Sequence, residues 1–238
     1  MSAQPVLTVS GLARRYGELE ALRELELEVR EGECVAVIGH NGSGKTTAVR
    51  IIAGLLDPSA GSVLIDGARV GAGADGVIAR GALGMVPDTP SLYDDLTVRE
   101  HLQLVALAHG TADETLDARI DSLLLRLALV DKADSRPGQL SRGMRQKAQL
   151  ACALIRPSRL LVLDEPVVGL DPASQRTLRE LLLEAKRSGR AVLLTTHQLE
   201  FARGLADRAV VLADGAVVAE GPYDDIVDGP LIGEYGLL

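Results

Sequence analysis

Residues Val35 to Thr47 read VAVIGHNGSGKTT, and the fold turns on this stretch. It carries most of an apolar run, Cys34 to Ile38, of a length that suits a buried strand; a glycine-rich turn follows, then a helical run from Lys45 that stops at Gly54. Strand, loop and helix in that order, with the spacing G-x-x-x-x-G-K-T, make a phosphate-binding P-loop. Gly39, Gly42 and Gly44 have no Cβ to keep the backbone away from a polyphosphate, so successive N–H groups and the positive end of the helix can surround it. Lys45 is expected to reach the β- and γ-phosphates, and the Thr46 hydroxyl is placed to ligate Mg²⁺. The nucleotide-binding set expected here is Gly39, Asn41, Gly42, Ser43, Gly44, Lys45, Thr46 and Thr47.

Working outward, the 238 residues, 47% hydrophobic, suit one compact α/β domain with a smaller subdomain attached. Lys and Arg number 25 against 33 Asp and Glu, a formal charge of -8 with no basic block to offset it. Tight nucleic-acid binding draws on Lys and Arg against phosphates, so no nucleic-acid partner is expected. Aromatics, at 2%, leave few platforms for stacking a single strand. Cys34 and Cys152 both sit in apolar runs and read as core residues of a protein in a reducing compartment. No apolar run reaches about 18 residues, and MSAQPVLTVS has neither a basic nor an apolar leader segment. Membrane insertion and secretion are therefore not expected.

Alternation predicts strands from Val6 to Val9, ending into Gly11, and from Glu20 to Val29, with Tyr16 in the turn between them. After the P-loop helix, Ser62 to Ile65 and Leu83 to Val86 read as strands, and the Gly- and Ala-rich segment Val70 to Gly81 reads as an irregular connection. Pro87-Asp88-Thr89-Pro90 ends the second of these strands. From Leu92 to Leu129 the pattern is helical: Thr97 and Glu100 form a capping box for a helix running to Gly110, and Asp113 to Leu129 continues it. Pro137-Gly138 breaks the run, and Ser141 is a suitable N-cap for the next helix. Later come a helix from Ala173 to Ser188, a strand Ala191 to Thr195, a hairpin turning at Asp214-Gly215, and a helical tail from Tyr223.

Leu160 to Leu163 is a wholly apolar strand that delivers Asp164-Glu165-Pro166 at its end. In a P-loop protein such a strand brings a carboxylate to Mg²⁺, which makes Asp164 the metal ligand. Were the strand to continue, Glu165 could not point the same way and could face an attacking water instead. His197 follows another buried strand at the same edge as Gly39 and Asp164, where ligands collect in parallel sheets, and is expected to contact the γ-phosphate.

The succession P-loop, LSRGM (Leu140 to Met144), LLVLDEP (Leu160 to Pro166), GLD (Gly169 to Asp171) and TTH (Thr195 to His197) resembles the nucleotide-binding subunit of ATP-binding-cassette (ABC) transporters, over nearly the whole chain. The resemblance implies a P-loop NTPase core with a mostly parallel sheet, an N-terminal antiparallel β subdomain and a helical signature-motif subdomain. In these terms 1–238 is one domain, with core and β subdomain over 1–90 and 157–220, the helical subdomain over 91–156 and a tail over 221–238. It further implies that Tyr16 stacks on adenine, that Ser141 and Gly143 form the signature motif, that Asp171 belongs to the D-loop and that His197 is the switch histidine. Two residues depart from the family pattern. Arg142 and Met144 replace the first Gly and the Gln of the usual L-S-G-G-Q, as in an exporter subfamily whose membrane subunit is a separate chain. Asp88 stands where the family has Gln or Glu, and is expected to sense the nucleotide and Mg²⁺ from its loop.

The expected activity is hydrolysis of ATP with Mg²⁺, in which Lys45, Glu165 and His197 are the catalytic residues and Thr46, Asp164 and Asp88 face the metal. Expected partners are a second copy of the chain, or a paralogous cassette, and a separate transmembrane permease that holds the protein on the cytoplasmic face of the membrane. A chromosome-organising ATPase would carry a coiled coil or zinc insert between its halves, and a translation factor of this superfamily would carry two cassettes. The remaining rival is an accessory ATPase of iron–sulfur cluster assembly, also a single cassette.

Overall fold

The structure, a computed structural model, describes residues 5–234. Alternating apolar residues build the first hairpin, in which Leu7–Tyr16 (β1) and Leu19–Val29 (β2) pair antiparallel from Leu7 opposite Val29 to Tyr16 opposite Leu19. The first strand does not end at Gly11. With φ at +56°, Gly11 lies in a register shift between Val9 and Leu12, an irregularity that bends the strand and lets it continue. Tyr16 therefore ends a strand instead of occupying the turn, which falls to Gly17 and Glu18.

Next come Cys34–Ile38 (β3), buried at every residue, and Lys45–Ile52 (α1). Ala60–Ile65 (β4) and Ala68–Arg69 (β5) join the hairpin in an antiparallel sheet of order β2-β1-β4-β5. The segment expected to be irregular contains a helix, Gly73–Ala82 (α2). Asp75 in its first turn and Arg80 in its last complement the helix dipole, and the Arg80 guanidinium donates to the Gly71 carbonyl at 3.0 Å. Three glycines of low helix propensity mask those end signals in the bare sequence.

Leu83–Val86 (β6) leads to Val98–Ala108 (α3), whose capping box is made by Thr97 and Glu100, and to Leu116–Arg126 (α4). Ser141 caps Arg142–Leu154 (α5), its Oγ accepting from the Met144 N–H at 3.2 Å. The chain continues through Leu160–Asp164 (β7), Pro172–Arg187 (α6), Ala191–Thr196 (β8), Leu199–Ala202 (α7), Arg208–Ala213 (β9) and Ala216–Pro222 (β10). β10 ends at Pro222 and Tyr223–Val227 (α8) begins the helical tail, of which residues 235–238 lie outside the described part.

The second sheet has the order β10-β9-β3-β8-β7-β6; all neighbours are parallel except β10, which returns antiparallel on β9. Both faces are covered, as the period of two shows. Cys34, Ala36 and Ile38 of β3 point into a core shared with α3, α4, α5 and α6, while Val35 and Val37 point into one shared with α1 and the antiparallel sheet. Leu161 and Leu163 of β7, and Leu160 and Val162 opposite, divide in the same way. Each buried Leu, Ile or Val contributes about 1.5–3 kcal/mol. Parallel register then brings the ends of β3, β6, β7 and β8 to one edge of the sheet.

Candidate functional site

At that edge the backbone after β3 turns into α1 through a closely packed loop. A Cβ on Gly39 would come within 2.3 Å of the Leu212 carbonyl oxygen and 2.5 Å of Ser43 Oγ. Gly44, the N-cap of α1, has φ at +107°, and its Cβ would meet the Ala21 carbonyl at 2.6 Å. The leading N–H groups of α1 have no intrahelical acceptor, and no side chain caps them. Ser43 is fully buried and its Oγ has no hydrogen-bond partner. A buried hydroxyl without a partner beside uncapped amides is the arrangement a polyphosphate would satisfy.

Lys45, 6% exposed, turns back across the loop, its ammonium donating to the carbonyls of Gly39 at 2.7 Å and His40 at 3.1 Å. Burial lowers its pKa, against the pull of Glu165 and Asp164, which favour the charged form. Asp164 ends β7 with 1% exposure and accepts from the Thr195 hydroxyl at 2.5 Å. Burial raises its pKa; the hydroxyls of Thr195 and Thr46 work the other way, while Asp88 and Glu165 raise it further. Thr46, Asp164 and Asp88 offer only oxygen donors, the chemistry Mg²⁺ prefers.

The strand stops at Asp164 instead of running through Glu165. Glu165 has φ at +48°, and its N–H donates to Thr195 Oγ1 at 3.0 Å. The condition for the expected divergence of the two acids, a strand continuing through Glu165, is therefore not met. Glu165 Oε2 lies 2.9 Å from His197 Nδ1 and accepts from the His197 N–H at 3.3 Å. Thr195, opposite Asp164 in the β7–β8 register, orients both acids and was not singled out from sequence. Its signal was a hydroxyl ending a strand that is otherwise apolar up to it.

Ser141, Gly143 and Asp171 form a second group. A Cβ on Gly143 would come within 2.7 Å of the Gly169 carbonyl, so the start of α5 lies directly on the turn that precedes α6. Asp171 caps α6, accepting from the Ser174 N–H at 2.9 Å and the Ser174 hydroxyl at 2.7 Å, which lowers its pKa to about 2. Among the described residues no hydrogen bond or ion pair joins the side chains of this group to Lys45, Thr46 or Asp164. Tyr16 stands apart again, 46% exposed at the end of β1. Asn41 and Thr47 lie on the loop and the first turn of α1, with Asn41 exposed. An open concavity of about 700 Å³ on the first hairpin, lined by Arg15, Glu20, Glu24 and Glu26, contains none of these residues.

The family model described as ABC transporter matches residues 22–168, and the chain belongs to that family. It is an ATP-binding subunit of the transporter type and an ATPase, which hydrolyses ATP to ADP and phosphate. It is 35% identical to the ABC-type transporter ATP-binding protein EcsA of Bacillus subtilis, over 93% of this chain and 89% of that protein. It is 37% identical to the Nod factor export ATP-binding protein I of Ralstonia nicotianae, over 95% of this chain and 70% of that one. Among solved structures, the ATP binding subunit of an ABC transporter superposes with a TM-score of 0.87 at 37% identity, over 98% of this chain and 94% of its own. A dimeric ATP-binding cassette in a post-hydrolysis state, bound to ADP and Pi, superposes with a TM-score of 0.82 at 28% identity, over 91% and 98%.

Proposed function

We propose that this chain is the ATP-hydrolysing subunit of an exporter, in which two cassettes close over two ATP molecules and drive a separate transmembrane permease from its cytoplasmic side. The observation that carries this reading is the division of the site: one group of residues gathers around the phosphate loop, and among the described residues no hydrogen bond or ion pair joins the side chains of the Ser141, Gly143 and Asp171 group to it. A second copy, or a paralogous cassette, would bring its own Ser141 group against the first copy's nucleotide. The export direction draws on Arg142 and Met144 and on the relative whose name denotes Nod factor export. No helix among the described residues is long and apolar enough to cross a membrane.

In this reading the Lys45 ammonium exchanges its two carbonyls for phosphate oxygens, and Ser43 with the leading amides of α1 completes the cradle. Thr46, Asp164 and Asp88 would hold Mg²⁺, which supplies charge neutralisation on the phosphates. Glu165, oriented by His197 and Thr195, takes the proton of the attacking water. His197, half-exposed beside it, faces the γ-phosphate, and Tyr16 stacks on adenine. The helical stretch 91–156 serves as the part that meets the permease, with Asp88 in the connecting loop between nucleotide and partner.

The test is co-expression with the protein of the neighbouring reading frame, expected in this reading to be a multi-span membrane protein. Co-purification with that protein and ATPase stimulation in the reconstituted complex are expected, and Asp88→Ala should reduce the stimulation more than basal turnover. Co-purification with soluble assembly factors alone would contradict the transporter reading.

A further inference from the structure

An aromatic side chain at the exposed end of a strand samples several rotamers unless something holds it. Tyr16 is held. Arg14, two residues back on β1, places its guanidinium over the ring, with Cζ 4.7 Å from the ring centroid. The guanidinium is itself anchored, since Nη1 donates to the Asp57 carbonyl at 2.9 Å. Asp57 belongs to the segment leaving α1, so the support reaches back to the helix that follows the phosphate loop. A second connection runs through the sheet. Arg14 pairs with Leu22, and Leu22 Cδ2 lies 3.0 Å from the place a Cβ on Gly44 would take. The row Tyr16, Arg14, Leu22, Gly44 therefore joins the ring to the phosphate cradle, with the ring roughly 6–7 Å further along the strand than Arg14.

We propose that Arg14 is a positioning residue for the base of the nucleotide: anchored at Asp57, it backs one face of the Tyr16 ring and holds the other face open for stacking. The inference rests on the reading that Tyr16 stacks on adenine, and goes beyond it by assigning the support. A ring ordered before binding loses less freedom when the base arrives, so removing the support should weaken base-dependent affinity without touching the phosphate cradle.

The experiment is a set of titrations of wild type, Arg14→Ala, Arg14→Lys, Tyr16→Ala and the double variant, each with ATP and with inorganic tripolyphosphate, which lacks the base. Arg14→Ala should bind ATP about 2- to 10-fold more weakly and tripolyphosphate as wild type does. KM for ATP should rise while kcat holds, and Arg14→Lys should recover most of the loss because it retains a cation over the ring. In the Tyr16→Ala background, Arg14→Ala should cost nothing further. An equal loss for ATP and tripolyphosphate, or full additivity with Tyr16→Ala, would overturn the inference while leaving stacking intact. Unchanged ATP affinity in Tyr16→Ala would overturn the stacking reading itself, and this inference with it.

Discussion

Glu165 carries its carboxylate from a left-handed backbone, φ +48°, a conformation that costs a residue with a side chain about 1–2 kcal/mol. The turn falls where β7 ends, and there the Glu165 carboxylate lies against His197. Substitution separates conformation from chemistry: Glu165→Gly should be more stable than Glu165→Ala by about 1 kcal/mol, although glycine normally loses that comparison. Denaturant unfolding of the two variants decides it, and the reverse order would mean the positive φ is not sustained in solution. Asp171 serves locally as the cap of α6. Its pKa is lowered to about 2 by the Ser174 hydroxyl and N–H, so the cap's stabilisation is complete above the unfolded carboxylate range and is lost as pH falls toward 2. The stability difference between wild type and Asp171→Ala should accordingly stay constant above about pH 5 and shrink below about pH 4. A difference that persists undiminished to pH 2 would assign the cap to something other than the carboxylate. Lys45, Asp164 and His197 were legible in the sequence because each follows or ends an element of recognisable pattern. Thr195 and Arg14 were not, because their roles depend on which residue stands opposite or overhead once strands are paired.

At the level of elements, the helix starts were the most legible features, since Thr97 with Glu100 and Ser141 declare themselves through local hydrogen bonding alone. α2 escaped notice because its glycines lower propensity, and its ends are stabilised by Asp75 and Arg80 together with a contact to Gly71 that only the folded chain shows. β1 was cut short because Gly11 resembles a strand terminator, whereas a register shift accommodates it in the middle. The packing of α5 on the turn before α6 was equally hidden, and it makes Gly143 sensitive. Gly143→Ala should destabilise by about 1–3 kcal/mol through overpacking against the Gly169 carbonyl, and should lower ATPase activity as the two elements separate. Gly138→Ala, where a Cβ meets nothing within 4 Å, is the control and should be nearly neutral. Thermal unfolding of both checks this, and equal effects would place the sensitivity in glycine chemistry rather than in the contact.

For the whole molecule, the parallel sheet acts as a rigid divider. One face packs on α1 and the antiparallel sheet, which present the phosphate loop and the Tyr16 ring; the other packs on α3 to α6, which present Ser141 and Asp171. One chain therefore carries two groups of residues that no hydrogen bond or ion pair joins among the described residues, and in the proposed function two chains bring them together. The most direct measurement is light scattering on Glu165→Gln. This variant keeps the size and hydrogen-bonding reach of Glu165 and removes the base, which should slow turnover by about 10²- to 10⁴-fold with ATP affinity largely retained. In saturating ATP it should run as a dimer and in ADP as a monomer, and adding Ser141→Arg should abolish the dimer by setting bulk and charge against the phosphate. A Glu165→Gln protein that stays monomeric in saturating ATP, or hydrolyses it at the wild-type rate, would contradict the account.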